Sequence, residues 1–312
     1  MKMKLISIVI PCFNEEKNVV EAYTAIRKVI ARIPKYVFEL LFVDNGSTDA
    51  TRRLIHTLVT KDKRVKGVYL SRNFGPESST QAGLDTARGD AVIIYECDMQ
   101  DPPDLIGKFI EKWEEGYEIV AAVRNKIEDE PVMTFFRKTF YKIFRAVSDI
   151  DVPVNSGHYG LIGNKALAAM HALPEKYRFF RGIRAWVGFK TAYITYTRKR
   201  RIRGKSSYNF FSYLKHAERS LFGFSYMPLD FLVYLGFFLT LLSFLFIIGY
   251  LIIFFLYGTS IQESAMVLLA IVFFGGVNLL ALSVIGKYIQ VIVEETKGRP
   301  TYIVEKIESM HS

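Results

Sequence analysis

The residues best suited to chemistry form a short acidic run, Glu96-Cys97-Asp98-Met99-Gln100-Asp101, that follows the apolar residues 91–95. Carboxylates at the end of a buried strand are hard oxygen donors. They suit Mg2+ or Mn2+, which keep several waters and bind through one or two carboxylates plus substrate phosphates. The same run also reads as a turn and a helix cap, with Pro102, Pro103 and Asp104 opening the next helix. A second polar run, Asp44-Asn45-Gly46-Ser47-Thr48-Asp49, has Gly46 at a tight bend and Ser47 or Asp49 available as a cap. It is a plain turn on that reading; a buried Asp44 would instead accept a hydrogen bond from a nucleobase N–H. His158, a lone histidine, most simply reads as a surface or packing residue.

These side chains need a scaffold, and the surrounding pattern supplies one. Residues 5–10, 38–43, 65–70, 91–95 and 118–123 read as strands separated by helical stretches, which implies a largely parallel sheet covered by helices on both faces. The first helix is predicted to be capped by Asn14, with Glu15 and Glu16 in its first turn and Val19, Tyr23, Ile26 and Ile30 at helical spacing. In such sheets ligands bind at the carboxyl ends of the strands, where residues 11–15, 44–49 and 96–104 all fall. Beyond residue 123 the regularity weakens. A basic aromatic helix is predicted over 135–147, then a Gly-rich segment over 155–163.

The chain has 312 residues, 50% hydrophobic and 23% charged, with a net charge of +10. Its apolar excess is concentrated: residues 231–257 and 265–286 contain no Asp, Glu, Lys or Arg. About 20 helical residues cross a bilayer core, so both stretches are predicted to be membrane spans; residues 237–255 lack the polar stripe of a soluble core helix. Lys215, Arg219, Lys287, Lys297, Arg299 and Lys306 flank the spans while the loop 258–264 carries only Glu263, which places both termini in the cytoplasm by the positive-inside bias. Neither span is a secretory signal peptide, since both lie in the C-terminal third. The basic stretch 198–219, interleaved with Tyr208, Phe210, Phe211 and Tyr213, reads as an amphipathic helix in the headgroup layer rather than a nucleic-acid site. Cys12 and Cys97 are expected to stay reduced, without a disulfide.

Taken in order, several motifs resemble a known family. Val9-Ile10-Pro11-Cys12-Phe13-Asn14-Glu15-Glu16, Val43-Asp44-Asn45-Gly46-Ser47-Thr48-Asp49, Ser71-Arg72-Asn73-Phe74-Gly75 and Asp98-Met99-Gln100-Asp101-Pro102-Pro103 look like the signatures of family 2 glycosyltransferases with a GT-A fold. Arg178-Phe179-Phe180-Arg181-Gly182, Arg201-Ile202-Arg203-Gly204, two C-terminal spans and the tail Glu295-Thr296-Lys297-Gly298-Arg299-Pro300 are similar to the bactoprenol-phosphate glucosyltransferases, relatives of dolichol-phosphate mannose synthase. The implied architecture is α/β: a cytoplasmic GT-A domain with a mostly parallel sheet (residues 1–200), a basic interface segment (201–228), two transmembrane helices (229–290) and a cytoplasmic tail (291–312).

The resemblance implies transfer of a hexose from a nucleoside-diphosphate sugar, a UDP-sugar, to polyprenyl (undecaprenyl) phosphate at the cytoplasmic face of the inner membrane. It implies inversion by a single displacement, Mg2+ or Mn2+ as cofactor, and a homo-oligomer contacting membrane lipids. Pro11, Glu15 and Asp44 become candidates for the uridine part, with Asn14 and Arg72 completing the donor set. The family's Asp-x-Asp-x-Gln metal pattern lands on Glu96, Asp98 and Gln100, its first carboxylate one methylene longer than usual. Asp98, Asp101 and His158 are the catalytic candidates; Arg181, Arg201 and Lys205 are the clamps for the acceptor phosphate.

Three positions depart from the family pattern: His158 replaces a carboxylate, Gly160 an arginine and Ser207 a lysine. A phosphate nucleophile is already an anion near neutral pH, so loss of a general base need not abolish transfer, and His158 would instead serve as a hydrogen-bond donor to phosphate. The departures predict a donor other than UDP-glucose, an N-acetylated sugar for which Gly160 would leave room. Two other classes compete: a non-catalytic relative that binds or scaffolds lipid-linked sugars, and a small transporter or flippase subunit, disfavoured by spans without intramembrane ionisable residues.

Overall fold

The computed structural model of the protein describes residues 3–125, 153, 155–176, 178–198, 227–257 and 263–310. The helix expected over 135–147 and the interface segment up to residue 226, with Arg201, Lys205 and Ser207, lie outside the described residues, while residues 227 and 228, expected in that segment, already belong to a long helix. The chain divides into two compact units. Met1–Arg145, Ile150–Tyr213 and Gly298–Ser312 form the first, Ala146–Asp149 and Leu214–Lys297 the second.

The first unit is built on one sheet of eight strands: β1 (Leu5–Cys12), β2 (Val37–Asp44), β3 (Val65–Leu70), β4 (Ala91–Ile94), β5 (Ile119–Arg124), β6 (Ser156–Gly163), β7 (Thr191–Tyr196) and β8 (Val304–Ser309). Their order is β7-β5-β6-β4-β1-β2-β3-β8. β1 runs parallel to β2 and β4, β2 to β3, and β5 to β7; β6 is antiparallel to β4 and β5, and β8 to β3. The fold is thus the mostly parallel α/β sheet expected, with five strands where apolar runs predicted them. Consecutive residues Ile8, Val9 and Ile10 of β1, and Leu40, Leu41 and Phe42 of β2, are all fully buried. Such runs bury both faces of a strand, which requires cover on each side of the sheet.

The cover comes from the connecting helices α1 (Val19–Ile30), α2 (Thr51–Lys61), α3 (Pro76–Thr86) and α4 (Leu105–Glu114), followed by α5 (Asn164–Ala172) and α6 (Phe180–Trp186). In α1 the buried residues Val19, Ala22, Ile26, Val29 and Ile30 recur at three- and four-residue steps, forming one apolar stripe. Each such side chain withdrawn from water contributes about 1.5–3 kcal/mol for the larger apolar types.

Asn14 does not cap α1, which starts at Val19 with Asn18 at the cap position. The reason is local. Asn14 has φ +54°, outside the conformation that leads into a helix, and its side-chain oxygen accepts the Thr48 N–H at 2.9 Å. The Gly-rich stretch beginning at residue 155 contains a full strand, β6, which sequence periodicity did not announce.

The second unit contains α7 (Met227–Tyr257) and α8 (Glu263–Thr296). Both are long and apolar enough to cross a membrane, over Leu229–Ile253 and Ala270–Thr296, and their large side chains, such as Phe237 and Leu279, are exposed. α8 runs past the expected end at residue 290. The tail beyond it then forms β8 against β3.

Candidate active site

The ends of three parallel strands define the site. Cys12 at the end of β1 is level with Asp44 at the end of β2, and Val9 is level with Ile94, the last residue of β4, from which the acidic loop departs. Cys12 and Cys97 are both free and buried, as expected of reduced thiols.

Asp44 ends β2, and Asn14, Glu15 and Arg72 sit on loops beside it that are stitched into one network. Backbone N–H groups of Asn14 and Glu15 donate to Ser47 Oγ at 3.0 Å and Thr51 Oγ1 at 2.8 Å. Asn45 donates to Asn73 Oδ1 at 3.0 Å and accepts the Phe74 N–H at 3.0 Å, tying the turn after β2 to the loop after β3. Gly46 has φ +70°, and a Cβ there would run into the backbone of Arg72 and Asn73. Arg72 is exposed, donates to the Asn73 carbonyl at 3.0 Å and stacks 4.0 Å over Phe74. Pro11 occupies β1 level with Val43.

Asp44 is fully buried. Its Oδ1 accepts the Ser47 N–H at 3.2 Å, while its Oδ2 has no hydrogen-bond partner. Burial raises its pKa. An unmatched buried carboxylate oxygen is costly and requires a partner, either an ordered water or a donor group of a bound molecule.

The acidic loop is pinned from beneath by three tyrosines. Tyr95 donates to the Asp101 carbonyl at 3.1 Å, Tyr159 to the Pro102 carbonyl at 2.7 Å, and Tyr196 to the Asp101 carboxylate. Met99 adopts φ +59°, and the Gln100 N–H donates to Asp98 Oδ1 at 3.2 Å. Above the loop lies a guanidinium: Arg198 Nη2 is 3.0 Å from Glu96 Oε2 and 3.3 Å from Asp98 Oδ2, and its Nε is 3.4 Å from Asp101 Oδ1. His158 joins the same cluster from β6, its Nε2 3.2 Å from Glu77 Oε1 and its Nδ1 3.7 Å from Glu96 Oε1, with its ring edge-on to Phe180.

The electrostatics follow from this crowding. Burial raises the Glu96 carboxyl, but Arg198, His158, Arg124 and Arg181 together outweigh it and hold Glu96 below the ordinary range. Asp101 is buried and lies near Glu96, so its pKa rises to about 6. Arg181 donates to the Ser156 carbonyl at 3.3 Å, and burial together with Arg181 lowers Arg184 to about 10.

Among the described residues no three Asp, Glu, His or Cys side chains are gathered as a closed metal cage. The donor chemistry nevertheless fits a hard divalent cation, because oxygens of Glu96 and Asp98 already converge on one positively charged atom, Nη2 of Arg198. Two carboxylates, with phosphate oxygens from a substrate, make the open kind of site such ions use.

The sequence model of Glycosyl transferase family 2 matches residues 7–170, more than half of the chain and all of the strand ends just described. The chain belongs to glycosyltransferase family 2. An uncharacterized glycosyltransferase of Synechocystis sp. is 37% identical over 303 residues, covering 97% of this chain and 95% of the relative. The uncharacterized glycosyltransferase YkcC of Bacillus subtilis is 40% identical over 308 residues, covering 96% and 93%. The bactoprenol glucosyl transferase of Shigella phage SfII is 36% identical over 304 residues, covering 96% and 97%.

In this family 2 glycosyltransferase the structure gathers Glu96, Asp98, Asp101 and His158 into one cluster, and adds residues that sequence reading passed over: Glu77, Arg124, Tyr196 and Arg198. Arg198 lies 102 residues from Glu96 in the chain, and only its place in a basic run could have drawn notice. Asp101, expected to be catalytic, is only 1% exposed and held by Tyr196 beneath the loop, which is the place of a positioning residue. Gly160 does not open room for a donor sugar. It lies between β4 and β5, and a Cβ there would strike the Val120 carbonyl and approach Ala121 Cα at 3.2 Å, so the neighbouring strand already fills that space.

Proposed function

We propose that the protein transfers a sugar from a UDP-sugar to polyprenyl phosphate at the cytoplasmic face of the cell membrane, with inversion by a single displacement, yielding a lipid-linked sugar for cell-surface glycan modification. The carrying observation is the convergence of Glu96 and Asp98 at the carboxyl end of β4, one strand (β1) away from the end of β2 that holds Asp44. The acceptor class is supported by the bactoprenol glucosyl transferase that matches almost the whole chain, and membrane association by the two apolar helices.

Each residue then has a physical task. Asp44 Oδ2 accepts an N–H of the uracil ring, and the network around Asn14, Glu15 and Arg72 shapes the nucleoside pocket. Glu96 and Asp98, with Gln100 beside them, hold Mg2+ or Mn2+. Bound there, the ion would neutralise the diphosphate and the charge that develops on the departing UDP. Arg181, with Arg201 and Lys205 of the basic segment, receives the acceptor phosphate, which attacks the anomeric carbon as an anion without needing a base. Asp101 positions the loop. His158 and Glu77 form an ion-pair-ready unit at the sugar end, and because this pair replaces the family carboxylate, we expect donor preference to differ from UDP-glucose on chemical rather than steric grounds.

The test uses membranes containing the full chain, polyprenyl phosphate, Mg2+ and a panel of labelled UDP-sugars including UDP-glucose, with label in the lipid phase as the readout. Transfer should disappear in EDTA and fall by orders of magnitude in Asp98→Asn. Full transfer in EDTA overturns the metal assignment, and UDP-glucose as best donor overturns the role given to His158. If no donor is used, the lipid-sugar binding scaffold replaces the enzyme reading.

A further inference from the structure

We propose that Arg198 is a resident counter-cation of the acidic loop: with no donor bound its guanidinium occupies the carboxylate oxygens that a divalent cation needs, and loading of metal with nucleotide expels it. The proposal rests on the metal reading above and adds an internal competitor to it.

The geometry is that of a provisional occupant. Nη2 of Arg198 is shared between Glu96 Oε2 at 3.0 Å and Asp98 Oδ2 at 3.3 Å. Its Nε is 3.4 Å from Asp101 Oδ1 and makes no hydrogen bond, so the third contact is electrostatic only. A guanidinium is a fork suited to paired acceptors, yet here it faces three carboxylates on one loop with part of that fork unmatched. Arg198 is the strongest of the positive charges acting on Glu96, ahead of His158, Arg124 and Arg181, so without a cation in its place the repulsion among Glu96, Asp98 and Asp101 would be less well compensated.

Metal and arginine exclude each other. A divalent ion binds carboxylate oxygen at about 2.0–2.1 Å for Mg2+, so an ion on Glu96 and Asp98 would lie against Nη2, where two cations compete for the same oxygens. The placement of Arg198 leaves room for exchange. Tyr196, the last residue of β7, stays fixed to the Asp101 carboxylate, whereas Arg198 lies two residues further on, past the end of the strand and at the start of the basic run 198–219. The lower anchor of the loop can therefore persist while its upper partner changes from guanidinium to metal.

The test is Mn2+ binding without nucleotide, read from the free Mn2+ paramagnetic signal, on the full-length protein in detergent. Removing the competitor should raise affinity, so Arg198→Gln and Arg198→Ala are each expected to bind Mn2+ at least about tenfold more tightly than wild type. Arg181→Gln removes a neighbouring positive charge that also acts on Glu96, and measures the general electrostatic effect. A gain at Arg198 no larger than at Arg181, or affinity equal to or weaker than wild type, overturns the proposal and leaves the metal reading standing. Absence of Mn2+ binding in every protein overturns the metal reading and the competitor with it. Cooperative unfolding of each variant, followed by circular dichroism, confirms that folded protein is compared, and Arg198→Ala decides the matter if Arg198→Gln misfolds.

Discussion

A buried carboxylate with one oxygen unmatched is an expensive residue to keep, and Asp44 is kept at the junction of three loops that bind one another but not that oxygen. Replacing it by Asn keeps the shape and turns an acceptor into an amide whose N–H groups would face the uracil N–H. A hydrogen bond to a charged group contributes about 1.5–3 kcal/mol, so Asp44→Asn is expected to raise the KM for the UDP-sugar roughly ten- to a hundredfold with a much smaller change in kcat. Steady-state kinetics and UDP calorimetry check this; an unchanged KM and UDP affinity would remove Asp44 from the nucleoside pocket. His158 obeys a related logic. It sits between Glu77 and Glu96, so a return to Asp at this position would bring a third carboxylate into contact with two others. The exchange therefore makes sense only together with Glu77→Gln, which links position 158 to a helix more than seventy residues earlier in the chain.

At the scale of elements, β8 shows how tertiary pairing overrides local pattern. Val304–Ser309 covers the edge of β3 and is held by Arg52 to Glu305 at 2.8 Å, Tyr69 to Glu308 at 2.8 Å and His56 to Glu308 at 3.2 Å. An open sheet edge invites pairing with other chains, so truncation after Pro300 should lower stability and promote aggregation. Glu308 gives a finer probe. Lys306 first, then Tyr69 and His56 hold its pKa down to about 2 from 4.5, a shift that contributes stability above the ordinary value and loses it as pH falls through the lowered one. Glu308→Gln should therefore cost up to about 1 kcal/mol near neutral pH, as exposed pairs do, with the gap from wild type closing between pH 4.5 and about 2 in denaturant titrations. The same element explains what the sequence could reveal. β1 to β5 were legible because β-branched and apolar runs lie between turn residues, and the acidic loop because it follows one of them. β8 was not, since Glu305, Lys306 and Glu308 give it a polar face and its partner lies more than two hundred residues away. β6 hid behind Gly157 and Gly160, residues that weaken strand propensity, and forms because β4 and β5 pair with it on both edges. Arg198 escaped for the same reason as β8: its partners are distant in the chain and meet it only when β7 joins the sheet.

For the whole molecule, the pairing of β8 with β3 constrains how the chain can meet a membrane. β3 precedes both long apolar helices and β8 follows them, yet the two strands belong to one unit. A sheet cannot be shared across a bilayer, whose core leaves no partner for open strand edges, so the helices must cross together or not at all. An even number of crossings puts the site and the C-terminal strand on one face, and the basic residues Lys297 and Arg299 beyond the second helix lead us to expect that this face is the cytoplasmic one. Single cysteines at Thr259, between the helices, and at Met310, just beyond β8, read this directly. An impermeant maleimide applied to intact cells should label Thr259→Cys and spare Met310→Cys until the cells are broken, with Cys12 and Cys97 silent because both are buried. Labelling of Met310→Cys alone would invert the orientation and place the site where cytoplasmic UDP-sugars cannot reach it. Labelling of neither, in intact cells, with both reacting after lysis, would mean that the helices lie within or along the membrane without crossing it.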